Sequence, residues 1–220
     1  MEKIAQLKHR SLTDWDFQVD SLLELNAAHY VSEPSSLAVP RQETGYWEWL
    51  WAFLKGSVDN CIPHGLLATW LWMAETATNN PWFWVRAQAV PPAGAGFQKP
   101  ANGYAFYVTS TQVRIIRRVN NSETVLVTED LANQLPAQQW KHIAMFWETL
   151  DLGAGDFLRL TFQVEVDGAW ITQATYDDTQ DLWAASAVNK VGFNLAGSFH
   201  REREVYKGRV DDTEIWRRIA

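Results

Sequence analysis

Trp82, Trp84 and Arg86, with Trp170 and Trp183 further along the chain, have the residue types and spacing to hold a sugar. A pyranose ring offers an apolar C–H face that stacks on an indole, and arginine and aspartate side chains satisfy its hydroxyls. Trp82 and Trp84 fall on one side of an extended segment, with Arg86 as a charged donor beside them. Trp170 and Trp183 flank the acidic stretch 177–181 and form a candidate rim. The same indoles serve equally well as core or subunit-contact residues, so each carries two readings. A second signal is acidic. Asp177 and Asp178, and separately Asp211 and Asp212, are hard oxygen donors of the kind calcium takes in sets of about six to eight. The competing reading makes Asp177 and Asp178 turn caps and pairs Asp211 or Asp212 with Arg203 or Arg209. Calcium is thus a candidate cofactor.

Other chemistries find little support. There is no Gly-x-Ser-x-Gly elbow, no His-Glu-x-x-His and no phosphate-cradling glycine loop. The histidines (His9, His29, His64, His142 and His200) have no ligand spacing, and His142, next to the apolar Ile143, reads as structural. Cys61 is the only cysteine, so neither an intramolecular disulfide nor a cysteine-based zinc site can form.

The elements that position these residues are strands. Tryptophans recur two apart at Trp47-Trp49-Trp51, Trp70-Trp72 and Trp82-Trp84. A period of two lines one face of a strand, whereas a helix scatters such positions. The segment 46–54 is apolar on both faces, as is 66–74, which predicts burial by the core on one side and by a loop, a subunit or a ligand on the other. Further strands are expected at 15–19, 28–31, 36–39, 82–89, 104–108, 112–118, 123–127, 140–148, 157–166, 170–176, 188–195 and 205–216. Asn120-Asn121 and Asp167-Gly168 are hairpin turns. The Pro- and Gly-rich stretch 90–103 reads as a long loop, and 131–139 as a short helical or irregular piece. Trp15, Trp140, Trp147 and Trp216 read as core.

The chain has 220 residues, 47% of them hydrophobic and 20% charged, enough for one sizeable domain. A single β-sandwich over 14–220, preceded by an N-terminal segment 1–13, is the expected organisation; that segment is either an attachment piece or a plain first strand. The formal charge of −7 argues against a phosphate-backbone partner. No stretch is long and apolar enough for a membrane span, and the N-terminus has no signal-peptide core, so synthesis in the cytoplasm without a leader is the expectation.

From Asn102 onward the order of features resembles the concanavalin A-like superfamily, in its laminin-G or pentraxin-type form. The residues that carry this are Gly103-Tyr-Ala-Phe106, the strand Arg114 to Arg118, Trp140-Lys-His-Ile-Ala144, Phe162-Gln-Val-Glu-Val-Asp-Gly168, Val191-Gly-Phe193 and Gly208-Arg-Val-Asp-Asp-Thr-Glu-Ile215. The resemblance implies an all-β, two-sheet antiparallel jelly-roll sandwich. Glycanases of that superfamily carry a Glu-x-Asp-x-Glu strand; here Glu165-Val-Asp167 lacks the following glutamate, so a catalytic role is disfavoured. The expected function is a non-catalytic carbohydrate-binding or adhesion module with a glycan partner. One alternative is a virion structural protein, such as a phage fibre head or decoration domain, with tryptophans in homo-oligomer contacts. A glycoside hydrolase or lyase is the other.

Overall fold

The computed structural model describes residues 2–7, 15–17, 24–26, 31, 36–38, 47–54, 64–73, 81–88, 99–151, 156–180, 190–200, 203–204 and 208–217. Every regular element among them is a β-strand. The first five are β1 (Glu2–Leu7), β2 (Trp15–Phe17), β3 (Glu24–Asn26), β4 (Ser36–Ala38) and β5 (Trp47–Leu54). Then come β6 (His64–Met73), β7 (Trp82–Gln88), β8 (Asn102–Val108), β9 (Gln112–Val119) and β10 (Ser122–Asp130). β11 (Trp140–Asp151), β12 (Asp156–Val166) and β13 (Ala169–Asp178) form a meander, and β14 (Lys190–His200), β15 (Arg203–Glu204) and β16 (Gly208–Arg217) end the chain.

Two eight-stranded antiparallel sheets result. The first, sheet A, runs β13-β12-β11-β6-β16-β4-β3, with β1 added on β16. The second, sheet B, runs β10-β9-β8-β7-β14-β5-β2, with β15 added on β14. Residues 2–7 are therefore a strand, paired with 213–217. Two turns have local causes visible in the sequence. Asn120 and Asn121 both take positive φ (49° and 68°), as do Asp167 and Gly168 (51° and 80°), which is the backbone a two-residue hairpin with matching twist requires.

One core fills the space between the sheets. Alternate residues of β6 (Leu67, Leu71, Met73), β11 (Ile143, Met145, Trp147) and β12 (Leu158, Leu160, Phe162, Val164) meet Phe83, Val85, Tyr104, Phe106, Val113 and Ile115 from sheet B. The stretch 131–139, left open between helix and irregular chain, is irregular. It closes one end by inserting Leu131 and Leu135 into the core, with the Leu131 and Leu135 N–H groups donating to the Thr111 and Ser110 carbonyls. A second cluster, Trp82, Trp84, Ala87, Ala105 and Ile116 with Tyr107 packed on it, draws only on sheet B and alternates with the first, so it lies on that sheet's far face.

Trp147 is core, as expected, but Trp140 and Trp216 are not. They are half-buried and pair in register with Trp72 and Leu66, which alternate with the inward Leu71 and Leu67, so they stand on the outer face of sheet A. Among the described residues no helix is long and apolar enough to cross a membrane.

Candidate functional site

Register assembles a row of side chains on the outer face of sheet A that the linear sequence separates. Trp70 on β6 stands opposite His142 on β11, and Glu165 on β12 stands opposite Trp170 on β13. The pairing of β11 with β12 carries His142 to Glu165. The side chains close the row. The His142 ring stacks on Trp70 with centroids 4.6 Å apart and planes 4° from parallel. Trp170 leans on the other side of the imidazole at 4.7 Å and 53°. The imidazole Nδ1 lies 2.6 Å from Glu165 Oε2 and donates to that carboxylate, which orients the ring.

Trp170 is 39% exposed, the largest open ring among the described residues. One pair further along the strands, Gln163 donates to the Thr172 hydroxyl at 3.0 Å. The arrangement is an aromatic platform with amide, hydroxyl and carboxylate groups at its border. Such a surface stacks apolar ring faces and pairs with polar edges.

Beside the platform, His64, Gly65, Phe146, Trp147, Glu148, Thr161 and Gln163 line a depression of about 370 Å³. Gly65 makes room for the Trp147 indole. A Cβ there would clash with the Trp147 ring, so only glycine lets that indole fill the core beneath β6. The Thr149 N–H donates to His64 Nδ1 at 3.2 Å, which places the neutral ring's proton on Nε2.

The residues singled out from sequence have different fates. Trp82 and Trp84 do share a face and stack on each other at 5.8 Å, but they are buried. Tyr107 packs against Trp82 at 5.1 Å, and the Lys99 ammonium sits 3.6 Å above the Trp82 ring while bonding Glu123 at 2.8 Å. These indoles offer no ring face to a sugar here. Arg86 leaves their side altogether. A bulge between Val85 and Gln88, with Arg86 at φ 50°, breaks the alternation. Its guanidinium is buried and donates to Thr149 Oγ1 across the sandwich at 2.8 Å. Trp170 is brought to the platform, and Trp183 lies outside the described residues.

The acids separate as well. Asp177 and Asp178 are adjacent on β13 and point to opposite faces, so they cannot hold one ion together. Asp178 is buried, takes Arg117 Nη1 on both oxygens at 2.9 Å, and accepts from the Gln180 N–H at 3.1 Å. The Tyr104 hydroxyl is within reach of both Asp178 Oδ2 (2.9 Å) and the Gln180 carbonyl (2.8 Å). Asp177 forms a two-pronged pair with Arg159 at 2.8 and 2.7 Å. That hydrogen bonding holds its carboxyl below the usual carboxylate range. Asp211 stands opposite Trp70 on β16, four strands from β13, or roughly 19 Å away. The side chains of Asp211 and Asp212 lie outside the described residues. Asp177 and Asp178 do not fit a calcium cage, and among the described residues no group of three acids, histidines or cysteines comes together.

His142 and Trp70 are the residues sequence reading missed. His142 read as structural, and Trp70 as one of a repeated pair; only the non-local pairing of β6 with β11 makes them one surface.

No protein-family sequence model matches the chain, and no curated protein sequence does. Solved structures do match. The exoplasmic/lumenal domain of VIP36, in a form with Ca²⁺ and Man3GlcNAc bound, superposes with a TM-score of 0.62 at 12% identity, over 97% of this chain and 87% of that one. The carbohydrate recognition domain of Emp47p gives 0.61 at 9% identity over 99% and 95%. The fold is that of the concanavalin A-like lectins. The jelly roll also superposes on the CBM2 module of the evolved Dit protein of Lactobacillus casei BL23 phage J-1, with a TM-score of 0.56 at 12% identity over 100% and 97%.

Proposed function

We propose that this concanavalin A-like domain is a non-catalytic carbohydrate-binding module that takes sugar on the outer face of sheet A. The observation that carries the reading is the platform of Trp70, His142 and Trp170, with Trp170 open to solvent and Glu165 and Gln163 beside it. Aromatic stacking supplies the apolar contact and the bordering amide and carboxylate accept or donate to hydroxyls. Support also comes from the carbohydrate recognition domains and modules that share the fold. The platform contacts themselves involve no calcium in this proposal: they come from aromatic rings, Glu165 and Gln163, while Asp177 and Asp178 are engaged by Arg159 and Arg117.

A broad glycan array probed with wild-type chain and Trp170→Ala, each with calcium and with EDTA, tests it. The expected result is a set of hits unchanged by EDTA and weakened about tenfold or more by the substitution, the size of one lost stacking contact. Hits indifferent to Trp170→Ala would move the site elsewhere. Hits lost in EDTA would restore a metal-dependent site.

The likeness to a phage module favours a second reading, in which the domain belongs to a virion and its aromatic face contacts neighbouring subunits. Concentration-dependent mass separates the two. An assembly that Trp170→Ala dissociates would assign the platform to subunit contact.

A further inference from the structure

We propose that the ligand is an extended oligosaccharide of several rings, lying over β12 and β13 from the Trp170 platform to the Arg159–Asp177 pair. This rests on the platform being the sugar site and names the ligand class that site takes. Three observations carry it.

First, the outer face of these two strands is one continuous polar strip. Beyond the Glu165–Trp170 row come Gln163 opposite Thr172, Thr161 opposite Thr175, and Arg159 opposite Asp177. None of these side chains is buried, whereas Leu160, Phe162 and Val164 between them on β12 are. Rows two residues apart are separated by about 7 Å, so the strip runs about 20 Å, longer than one pyranose ring. Second, a bulge builds it. Gln173 is the extra residue on β13, where the register shifts. In unbroken alternation from Trp170, Ala174 would face outward and Thr175 and Asp177 inward. The bulge reverses this, so Ala174 enters the core while Thr175 and Asp177 stand exposed on the face of Trp170 and Thr172. The Gln173 amide holds the bulge, accepting from the Asn133 N–H at 3.1 Å and donating to the Ile171 carbonyl at 3.2 Å. Third, the strip offers hydroxyl-binding groups along its length. The Thr161 and Thr175 hydroxyls lie 3.5 Å apart, at the limit of a hydrogen bond, so both can turn to a ligand. Arg159 meets Asp177 through Nε and Nη2, which leaves its Nη1 amino group to donate and the Asp177 oxygens a lone pair each to accept. Glu148, opposite Arg159 on β11, adds its charge to the same guanidinium. A donor and acceptors side by side suit two adjacent hydroxyls of one sugar ring.

Isothermal titration of the purified chain with ladders from mono- to hexasaccharide of β-1,4-linked glucose, N-acetylglucosamine and mannose is the test. Wild type is expected to bind at least one ladder, with affinity rising about tenfold between disaccharide and tetrasaccharide, the size of one charge-assisted contact. Thr175→Val and Asp177→Asn should each reduce that rise while leaving disaccharide affinity unchanged, whereas Trp170→Ala should weaken every length. Both strip variants keep the shape of the side chain they replace, and unchanged thermal unfolding identifies them as folded. Affinity independent of length, or a length gain that survives both strip substitutions, would overturn the inference while leaving the platform as the sugar site. So would silence on every ladder beside Trp170-dependent hits on the glycan array. Silence of wild type on the ladders and on the array would overturn both.

Discussion

At the scale of single residues, tryptophans of equal promise in the sequence take opposite roles because burial is decided by what lies across from them. Trp84 is fully buried on the far face of sheet B, whereas Trp170 stands open on sheet A. Trp84→Ala should therefore cost about 3–5 kcal/mol of stability, as large-to-small changes in packed sites do. Trp170→Ala should change thermal unfolding little while removing sugar affinity; chemical denaturation of both variants shows which tryptophan is structural. The paired aspartates divide in the same manner. Asp178 is a buried carboxylate shared by Arg117, Tyr104 and the Gln180 N–H, so Asp178→Ala leaves a guanidinium without its partner and should cost about 3 kcal/mol. Asp177 pairs with Arg159 at the exposed surface, and Asp177→Asn should cost under about 1 kcal/mol. Measured unfolding free energies that rank the two the other way would show that the ion pairs have been misread.

At the scale of elements, β7 shows both the reach and the limit of sequence pattern. Its position follows from period-two alternation, but the face of Trp82 and Trp84 expected to lie open to a sugar is buried like the other. Alternation also put Arg86 beside Trp84, and there the bulge at Val85 to Gln88 intervened, a break no local signal announced. The hairpins at Asn120-Asn121 and Asp167-Gly168 were legible because positive φ has a residue-level cause. The platform was not, because it depends on β6 pairing with β11 across about 70 residues of chain. Lys99, three residues before β8, and Glu123 on β10 supply a pH test of how the Trp82 wall is closed. Desolvation lowers the Lys99 pKa from its ordinary 10.5, opposed by the hydrogen bond and charge of Glu123. Between the folded and ordinary values the unfolded chain binds more protons, so stability contributed through Lys99 rises with pH across that window, just below 10.5. Denaturant titrations between pH 8 and about 10.5 should show a rise in wild type that Lys99→Met lacks. A rise of equal size in both would assign it to other groups.

At the scale of the whole molecule, the two sheets divide the labour. Sheet B carries aromatic residues on its far face, where Trp82, Trp84 and Tyr107 form a closed cluster, and register puts Trp51 of β5 opposite Asn194, itself opposite Trp82. Sheet A carries the open aromatic row and the depression. Both follow from one cause, strands apolar on two faces in a sandwich with only one interior. What the sequence pattern could say was that two-sided strands need a second cover; which sheet keeps its cover and which offers itself to a ligand depends on the full topology. The concanavalin A-like scaffold itself is compatible with many functions, so the argument for sugar binding rests on the platform. The most direct test is a crystal structure of the chain with the tightest-binding oligosaccharide from the glycan array. A pyranose ring stacked on Trp170 beside His142 is the expected result. Sugar density against sheet B, with the Trp170 ring bare, would contradict it.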